Sequence, residues 1–140
     1  MARAVAEMVA EAKTGIENLI PDRAFAELES GEALLVDIRE PEERSASGII
    51  SGSHHAPRGM LEFYADPSSP YHRDVFDPNR RIILYCASGG RSALATNSMT
   101  ELGYENVAHV DGGLNLWKES GLPVFREDVV NTAINSNDVD

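Results

Sequence analysis

The chain contains a single cysteine, Cys86, in a setting that could support nucleophilic chemistry. Residues 82–92 read IILYCASGGRS. A lone cysteine is most often a small buried hydrophobic residue. Here, however, small residues and glycines follow it, and they allow successive backbone N–H groups to turn toward one point. Arg91 adds a full positive charge, which favours the nucleophilic thiolate. The pattern therefore predicts a cysteine nucleophile in an anion-binding loop.

The elements around this loop would place Cys86 where α/β proteins bind their ligands. The apolar run before it predicts a central β-strand, and the segment RSALATNSMTELG predicts a helix beginning about five residues after it. Open α/β sheets bind ligands at the carboxyl ends of their strands. The N-terminus of the helix adds partial positive charge at the same place. We therefore expect both the thiolate and an incoming anion to be stabilised there.

The N-terminal segment has helical periodicity and then turns into a short strand near Ile16–Ile20. We expect this helix to cover the core. Its apolar positions fall on one face: Val5, Met8, Val9, Ala12, Ile16 and Leu19.

Strand and helix patterns alternate along the rest of the chain. Strands are predicted at Ala33–Ile38, SHHAP and VAHV, and helices after Pro21, at EPEERSAS and at GGLNLWKESG. Such alternation predicts an α/β fold: a three-layer sandwich with a mostly parallel central sheet of about five strands and helices on both faces. We expect an N-terminal helix over residues 1–15, one domain over 16–125 and an acidic, mobile tail over 126–140. The proline-rich stretch Pro57–Asn79 is expected to be a connection with short helices.

The charge balance restricts the partners. Twelve basic residues stand against 23 acidic ones, a net charge of −11, which disfavours nucleic acid and anionic membranes. No apolar run approaches the roughly 20 residues that span a bilayer, and the N-terminus has no secretory h-region. One cysteine cannot form an internal disulfide, so we expect a reducing, cytoplasmic location.

Three ordered motifs resemble the rhodanese-like sulfurtransferases. The loop CASGGRS is similar to the active-site loop of that family, with cysteine and arginine five positions apart. LLVDIREPEE resembles its Asp-x-Arg segment, and VDGGLNLWKESGLPV its closing Gly-Gly…Trp…Gly-x-Pro segment. The chain departs from the family where GIISGS replaces the frequent Gly-His-Ile-Pro-Gly-Ala. The resemblance covers roughly residues 16–125 and implies the rhodanese-like form of the three-layer fold.

The resemblance also implies a reaction. Cys86 would accept a sulfane sulfur from a small anionic donor such as thiosulfate, become a persulfide, and pass the sulfur to cyanide or to a thiol, whether of a protein or of a small molecule. No cofactor is implied. The remaining implied positions are the loop residues Ala87, Ser88, Gly89, Gly90 and Arg91, which would cradle the sulfur, and Asp37 and Arg39, which would support the site or form an ordinary salt bridge. Glu43 would help to hold the fold, and Arg58 and Arg73 would lie at the pocket rim or on the ordinary surface.

Two other functions remain open. Cysteine phosphatases and arsenate reductases use a similar loop, but five residues separate their cysteine and arginine, whereas four do so here. A rhodanese-like module could also bind or regulate a partner without catalysis, although such modules often lose the cysteine. A metal site is not expected, because His54 and His55 would point to opposite faces of a strand and no second cysteine is present.

Overall fold

A computed structural model describes residues 2–128 of the chain. Within them, five strands are formed: β1 (Glu17–Leu19), β2 (Ala33–Asp37), β3 (His54–His55), β4 (Arg81–Tyr85) and β5 (Val107–Val110). They make one parallel sheet in the order β1-β5-β4-β2-β3. The helices are α1 (Val5–Thr14), α2 (Pro21–Ser30), α3 (Pro41–Ser47), α4 (Leu61–Ala65), α5 (Gly90–Glu101) and α6 (Gly113–Glu119), with a 3₁₀ turn at Arg58–Met60 before α4.

The sheet separates two hydrophobic clusters, because successive residues of its buried strands point to opposite faces. On one face, Val36 and Leu84 pack with Met99 of α5. On the other, Leu35 and Ile83 pack with Trp117 of α6 and with residues of α2. This arrangement confirms the predicted three-layer α/β fold.

Helix α1 packs against α5. Ala12 is buried and Val9 is half-buried, whereas Val5 and Met8 are 67% and 42% exposed. The expectation that the whole apolar face of this helix covers the core is therefore wrong at Val5 and Met8. Helical periodicity identified the face, but it could not show how far along the helix the contact extends.

Across residues 2–128, no helix combines the length and the apolar character needed to cross a membrane. The stretch predicted to be a mobile tail begins at 126, and its residues 129–140 lie outside the described part of the chain. The division of the chain at residue 15 stays a prediction.

Candidate active site

Cys86 follows β4 directly, and β4 lies between β5 and β2 in the sheet. The cysteine therefore lies at the carboxyl end of a central parallel strand, as the sequence predicted. Its side chain is fully buried. Helix α5 begins at Gly90, so a short loop joins the cysteine to a helix N-terminus, where partial positive charge favours an anion.

The N-terminus of α6 fixes the direction of the loop backbone. The N–H groups of Leu114 and Asn115 donate to the carbonyl oxygens of Cys86 and Ala87, at 2.9 and 3.0 Å. In a trans peptide the N–H group points opposite to the carbonyl. The N–H groups of Ala87 and Ser88 consequently point away from α6. The Gly89 N–H donates to the Cys86 Sγ at 3.1 Å. One backbone N–H group of the loop thus contacts the cysteine sulfur, and two others are directed away from α6.

Gly113 allows α6 to approach the loop this closely. A Cβ atom there would lie 2.6 Å from the carbonyl oxygens of Cys86 and Ala87, and its φ of +60° is in the left-handed region. Gly89 in turn lies against the backbone of Gly112, where a Cβ on Gly89 would meet the Gly112 nitrogen at 3.0 Å. The Gly-Gly pair therefore lets two backbone segments meet beside the cysteine.

Arg91 lies in the first turn of α5 and is paired with Glu43 of α3. Its Nη1 and Nη2 atoms donate to the two carboxylate oxygens of Glu43, each at 2.8 Å. Glu43 also accepts a hydrogen bond from the Glu40 backbone N–H in a capping box. The hydrogen bonds from Arg91 lower the pKa of Glu43 to about 2. The Cys86–Arg91 loop is therefore attached to α3 by a charged, bidentate contact.

Asp37 and Arg39 form a buried pair at the end of β2. The Asp37 carboxylate accepts from the Arg39 Nη2 at 2.8 Å and from the Arg44 Nη1 at 2.9 Å. Burial by itself raises the pKa of Asp37, but the hydrogen bonds and charges of the two arginines outweigh it, and the pKa is lowered. Arg39 also donates to the Gly48 carbonyl at 2.7 Å. These contacts join the end of β2 to Arg44 within α3 and to Gly48 after it, so the pair holds the helix that carries Glu43.

The two arginines predicted at the pocket rim bind residues of the Pro57–Asn79 connection or of the strand just before it. Arg58 binds both oxygens of Glu62 at 2.8 and 2.9 Å. The Arg73 Cζ lies 3.6 Å from the centroid of the Tyr64 ring, and the Arg73 Nη1 donates to the His55 carbonyl oxygen at 3.2 Å. Their role at a rim stays a prediction.

Three polar residues linked in series to the cysteine were not predicted as site residues from the sequence. The Cys86 Sγ lies 3.5 Å from the Ser92 Oγ, which lies 2.8 Å from the His109 Nδ1. The His109 Nε2 lies 2.7 Å from the Asn18 Oδ1. One available signal was a histidine within an otherwise apolar strand pattern, because a buried histidine needs polar partners.

The other histidines have local partners. His54 contacts the Phe76 ring edge-on, and the His55 Nε2 lies 2.7 Å from the Arg39 carbonyl oxygen. Among the described residues, no three His, Cys, Asp or Glu side chains are grouped so that they could hold a metal ion.

Known sulfurtransferases resemble this chain over most of its length. Thiosulfate sulfurtransferase GlpE of Stutzerimonas stutzeri is 32% identical over 108 residues, which cover 76% of this chain and 89% of that protein. GlpE of Actinobacillus succinogenes is 29% identical over 106 residues, covering 76% and 87% of the two chains.

Solved structures share the fold. The polysulfide-sulfur transferase homodimer of Wolinella succinogenes superposes with a TM-score of 0.69 and 30% identity, covering 85% of each chain. A protein of unknown function from Rhodopseudomonas palustris, described as a possible tyrosine phosphatase, superposes with a TM-score of 0.83 and 40% identity over 89% of this chain and 96% of that one. The model of the rhodanese-like domain matches residues 21–120. The chain therefore belongs to the rhodanese-like domain family.

Proposed function

We propose that this protein is a rhodanese-type sulfurtransferase that moves a sulfane sulfur from an anionic donor such as thiosulfate to cyanide or a thiol. The observation that carries the proposal is the position of the Cys86 sulfur, which accepts the Gly89 N–H at 3.1 Å inside a loop whose Ala87 and Ser88 N–H groups point away from α6. Relatives named thiosulfate sulfurtransferase support the same chemistry.

The reaction would proceed in two half-reactions on one sulfur atom. The Cys86 thiolate attacks the outer sulfur of thiosulfate, a new S–S bond forms, and the S–S bond of the donor breaks as sulfite leaves with the electron pair. Cyanide or a thiolate then attacks the outer sulfur of the persulfide and releases the Cys86 thiolate. Ping-pong kinetics follow, because both half-reactions use the same nucleophile.

The loop would stabilise the charged sulfur in both states. The N–H groups of Ala87, Ser88 and Gly89 supply oriented dipoles, Gly90 begins the helix, and Arg91 closes the loop by its contact with Glu43. Because Cys86 is buried, these dipoles act where water screens them weakly.

Phosphate chemistry is the second candidate, because the R. palustris neighbour is described as a possible tyrosine phosphatase. A phosphoryl group carries three equatorial oxygens that the loop would have to surround. Only four residues separate Cys86 from Arg91, and the Gly89 N–H already contacts the sulfur. A ring of this size fits a single sulfur atom better than a phosphoryl group.

The test measures both reactions on the same protein. We expect thiocyanate to form from thiosulfate and cyanide, negligible hydrolysis of an aryl phosphate, and a Cys86 peptide heavier by one sulfur atom after thiosulfate treatment. Cys86→Ser should lose the thiocyanate activity and the added mass. Inserting one glycine between Ser88 and Gly89 should lower sulfur transfer about a hundredfold, since displacements near 1 Å cost that much.

Two results would overturn the proposal. Efficient hydrolysis of the aryl phosphate with thiosulfate left untouched would establish the phosphatase function. Absence of both reactions, together with an unreactive Cys86, would establish a binding module.

A further inference from the structure

A continuous series of hydrogen bonds connects the Cys86 sulfur to the edge of the sheet. The Cys86 Sγ lies 3.5 Å from the Ser92 Oγ, within the distance for a sulfur donor, and the Ser92 Oγ lies 2.8 Å from the His109 Nδ1. The His109 Nε2 reaches the Asn18 Oδ1 at 2.7 Å. Cys86, Ser92 and His109 are fully buried. We call these four residues the Cys86–Asn18 network.

The direction of the network is set at Asn18. Its Nδ2 donates to the carbonyl oxygens of Lys13 and Ile16, at 2.9 and 3.2 Å. The amide is thereby oriented with Oδ1 toward His109. An amide oxygen can only accept, so the His109 Nε2 must carry a hydrogen and donate it. Burial lowers the pKa of His109 to about 4, so the ring is neutral near pH 7 and its Nδ1 is an acceptor.

Ser92 has one hydroxyl hydrogen, and it is used in the hydrogen bond to the neutral His109 ring. Because the Ser92 O–H donates to the His109 Nδ1 at 2.8 Å, only oxygen lone pairs of Ser92 remain for the sulfur. Such an oxygen can accept a hydrogen bond from a Cys86 thiol. It cannot donate one to a thiolate.

We propose that Asn18 and His109 act through Ser92 as positioning residues that favour the protonated thiol of Cys86 and so limit the fraction present as thiolate. The proposal rests on the proposed function in taking Cys86 as the nucleophile. The network and the loop have opposite effects on the ionisation of Cys86. The Gly89 N–H and the helix N-terminus favour the thiolate, whereas Ser92 favours the thiol. When Cys86 ionises, the S–H bond breaks, the electron pair stays on sulfur and the proton leaves to water.

Each charged group that interacts with the network forms a salt bridge with a group of opposite charge. Lys13 and Asp111 interact with His109 and bind each other at 2.9 Å. Arg91 interacts with Cys86 and is bound to Glu43. None of these groups donates to or accepts from Ser92 among the contacts of residues 2–128, so the orientation of its hydroxyl depends on His109.

The test is the pH dependence of Cys86 alkylation by iodoacetamide. His109→Leu removes the acceptor and frees the Ser92 hydroxyl to donate to the thiolate. We expect the midpoint of the rate profile to fall by about one pH unit, since a hydrogen bond to a charged group has that effect or more. His109→Asn keeps an acceptor near the Nδ1 position and should restore most of the wild-type midpoint. His72→Leu, at a half-buried histidine of the connection, is the matched control and should leave the midpoint in place.

The role of Ser92 is tested in a double variant. In the Ser92→Ala background, His109→Leu should cause no further shift. An unchanged or higher midpoint in His109→Leu, or a shift that persists without Ser92, would overturn the proposal.

Two further measurements test the proposal independently if His109→Leu does not fold. Asn18→Ala alters an exposed residue and lets His109 change tautomer, so it should lower the midpoint in the same direction by a smaller amount. The ¹⁵N shifts of the wild-type ring should report the Nε2–H tautomer, and a ring protonated at Nδ1 instead would contradict the proposal. Neither alkylation nor NMR requires sulfur transfer, so a failure of the proposed function would be seen separately.

Discussion

The carboxylate of Glu43 accepts hydrogen bonds from both terminal nitrogens of Arg91, each at 2.8 Å, and so joins the start of α3 to the start of α5. The pair is about one-third exposed on each side. The positive charge closing the cysteine loop is therefore already partly neutralised by the protein. An anionic donor would meet a weaker potential than Arg91 alone would create.

We expect Glu43→Gln to lower the KM for thiosulfate about three- to tenfold, because it removes a negative charge beside the loop while its amide can still bind Arg91. Steady-state kinetics at low ionic strength measure the effect, which added salt should diminish.

Arg91→Ala provides the control for this prediction. It should raise the KM for thiosulfate, and Arg91→Lys should recover only part of the loss because lysine lacks the planar fork. In the Arg91→Ala background, Glu43→Gln should have little further effect. A KM that rises in Glu43→Gln would mean that the pair acts by ordering the loop rather than by limiting its charge.

Gly113→Ala should damage the loop from the side of α6. The new methyl group would meet the Cys86 and Ala87 carbonyls at 2.6 Å in a left-handed backbone. We expect a loss of about 3 kcal/mol in the free energy of unfolding and at least a tenfold fall in kcat/KM, roughly the cost of a misplaced loop.

The matched variant is Gly31→Ala, since Gly31 is also left-handed (φ +77°) but has no atom within 4 Å of the added Cβ. It should cost about 1–2 kcal/mol from backbone strain alone and leave kcat/KM unchanged. Equal losses in the two variants would refute the close-approach argument. Unfolding by urea and the thiosulfate assay supply both measurements.

His109 should make stability depend on pH. Burial lowers its pKa from 6.5 to about 4, so the unfolded state binds more protons between these values. Stability is then fully present above pH 6.5 and falls as the pH decreases toward 4. Between pH 7 and 5 we expect a loss on the order of 1–2 kcal/mol.

The loss between pH 7 and 5 should be smaller by that amount in His109→Asn, which cannot titrate there. Burial also lowers the pKa of His54, so a remaining loss common to both proteins is expected in this window. Carboxylates with lowered pKa, such as Glu43 at about 2, lose their contribution only below about pH 4.5, outside this window. Urea midpoints of both proteins at the two pH values measure the difference. Equal losses would show that another group is responsible.

Local patterns predicted most of the fold. The apolar runs before Asp37 and Cys86 form central strands, and the Gly-Gly-Trp segment forms the helix that packs under the loop. These features depend on residues close together in the sequence, so hydrophobic periodicity and helix- or strand-breaking residues are enough to predict them.

The contacts around the cysteine could not be predicted in this way. Glu43 and Arg91 are 48 positions apart, and Asn18 and His109 are 91 apart. Pairs so distant meet only because the strand order β1-β5-β4-β2 brings their elements together. The sequence predicted a cysteine nucleophile and its loop, whereas tertiary structure determines which side chains contact them.

Strand β1 pairs with β5 in a register that sets Asn18 opposite His109. The match to the rhodanese-like domain begins only at residue 21. The strand that holds the ring of His109 therefore lies upstream of the stretch by which the family is recognised. A chain shortened to residue 21, or a chimera joined there, would contain the cysteine loop but lack Asn18, which orients His109. The contacts of this site therefore extend over a longer segment of the chain than the family model matches.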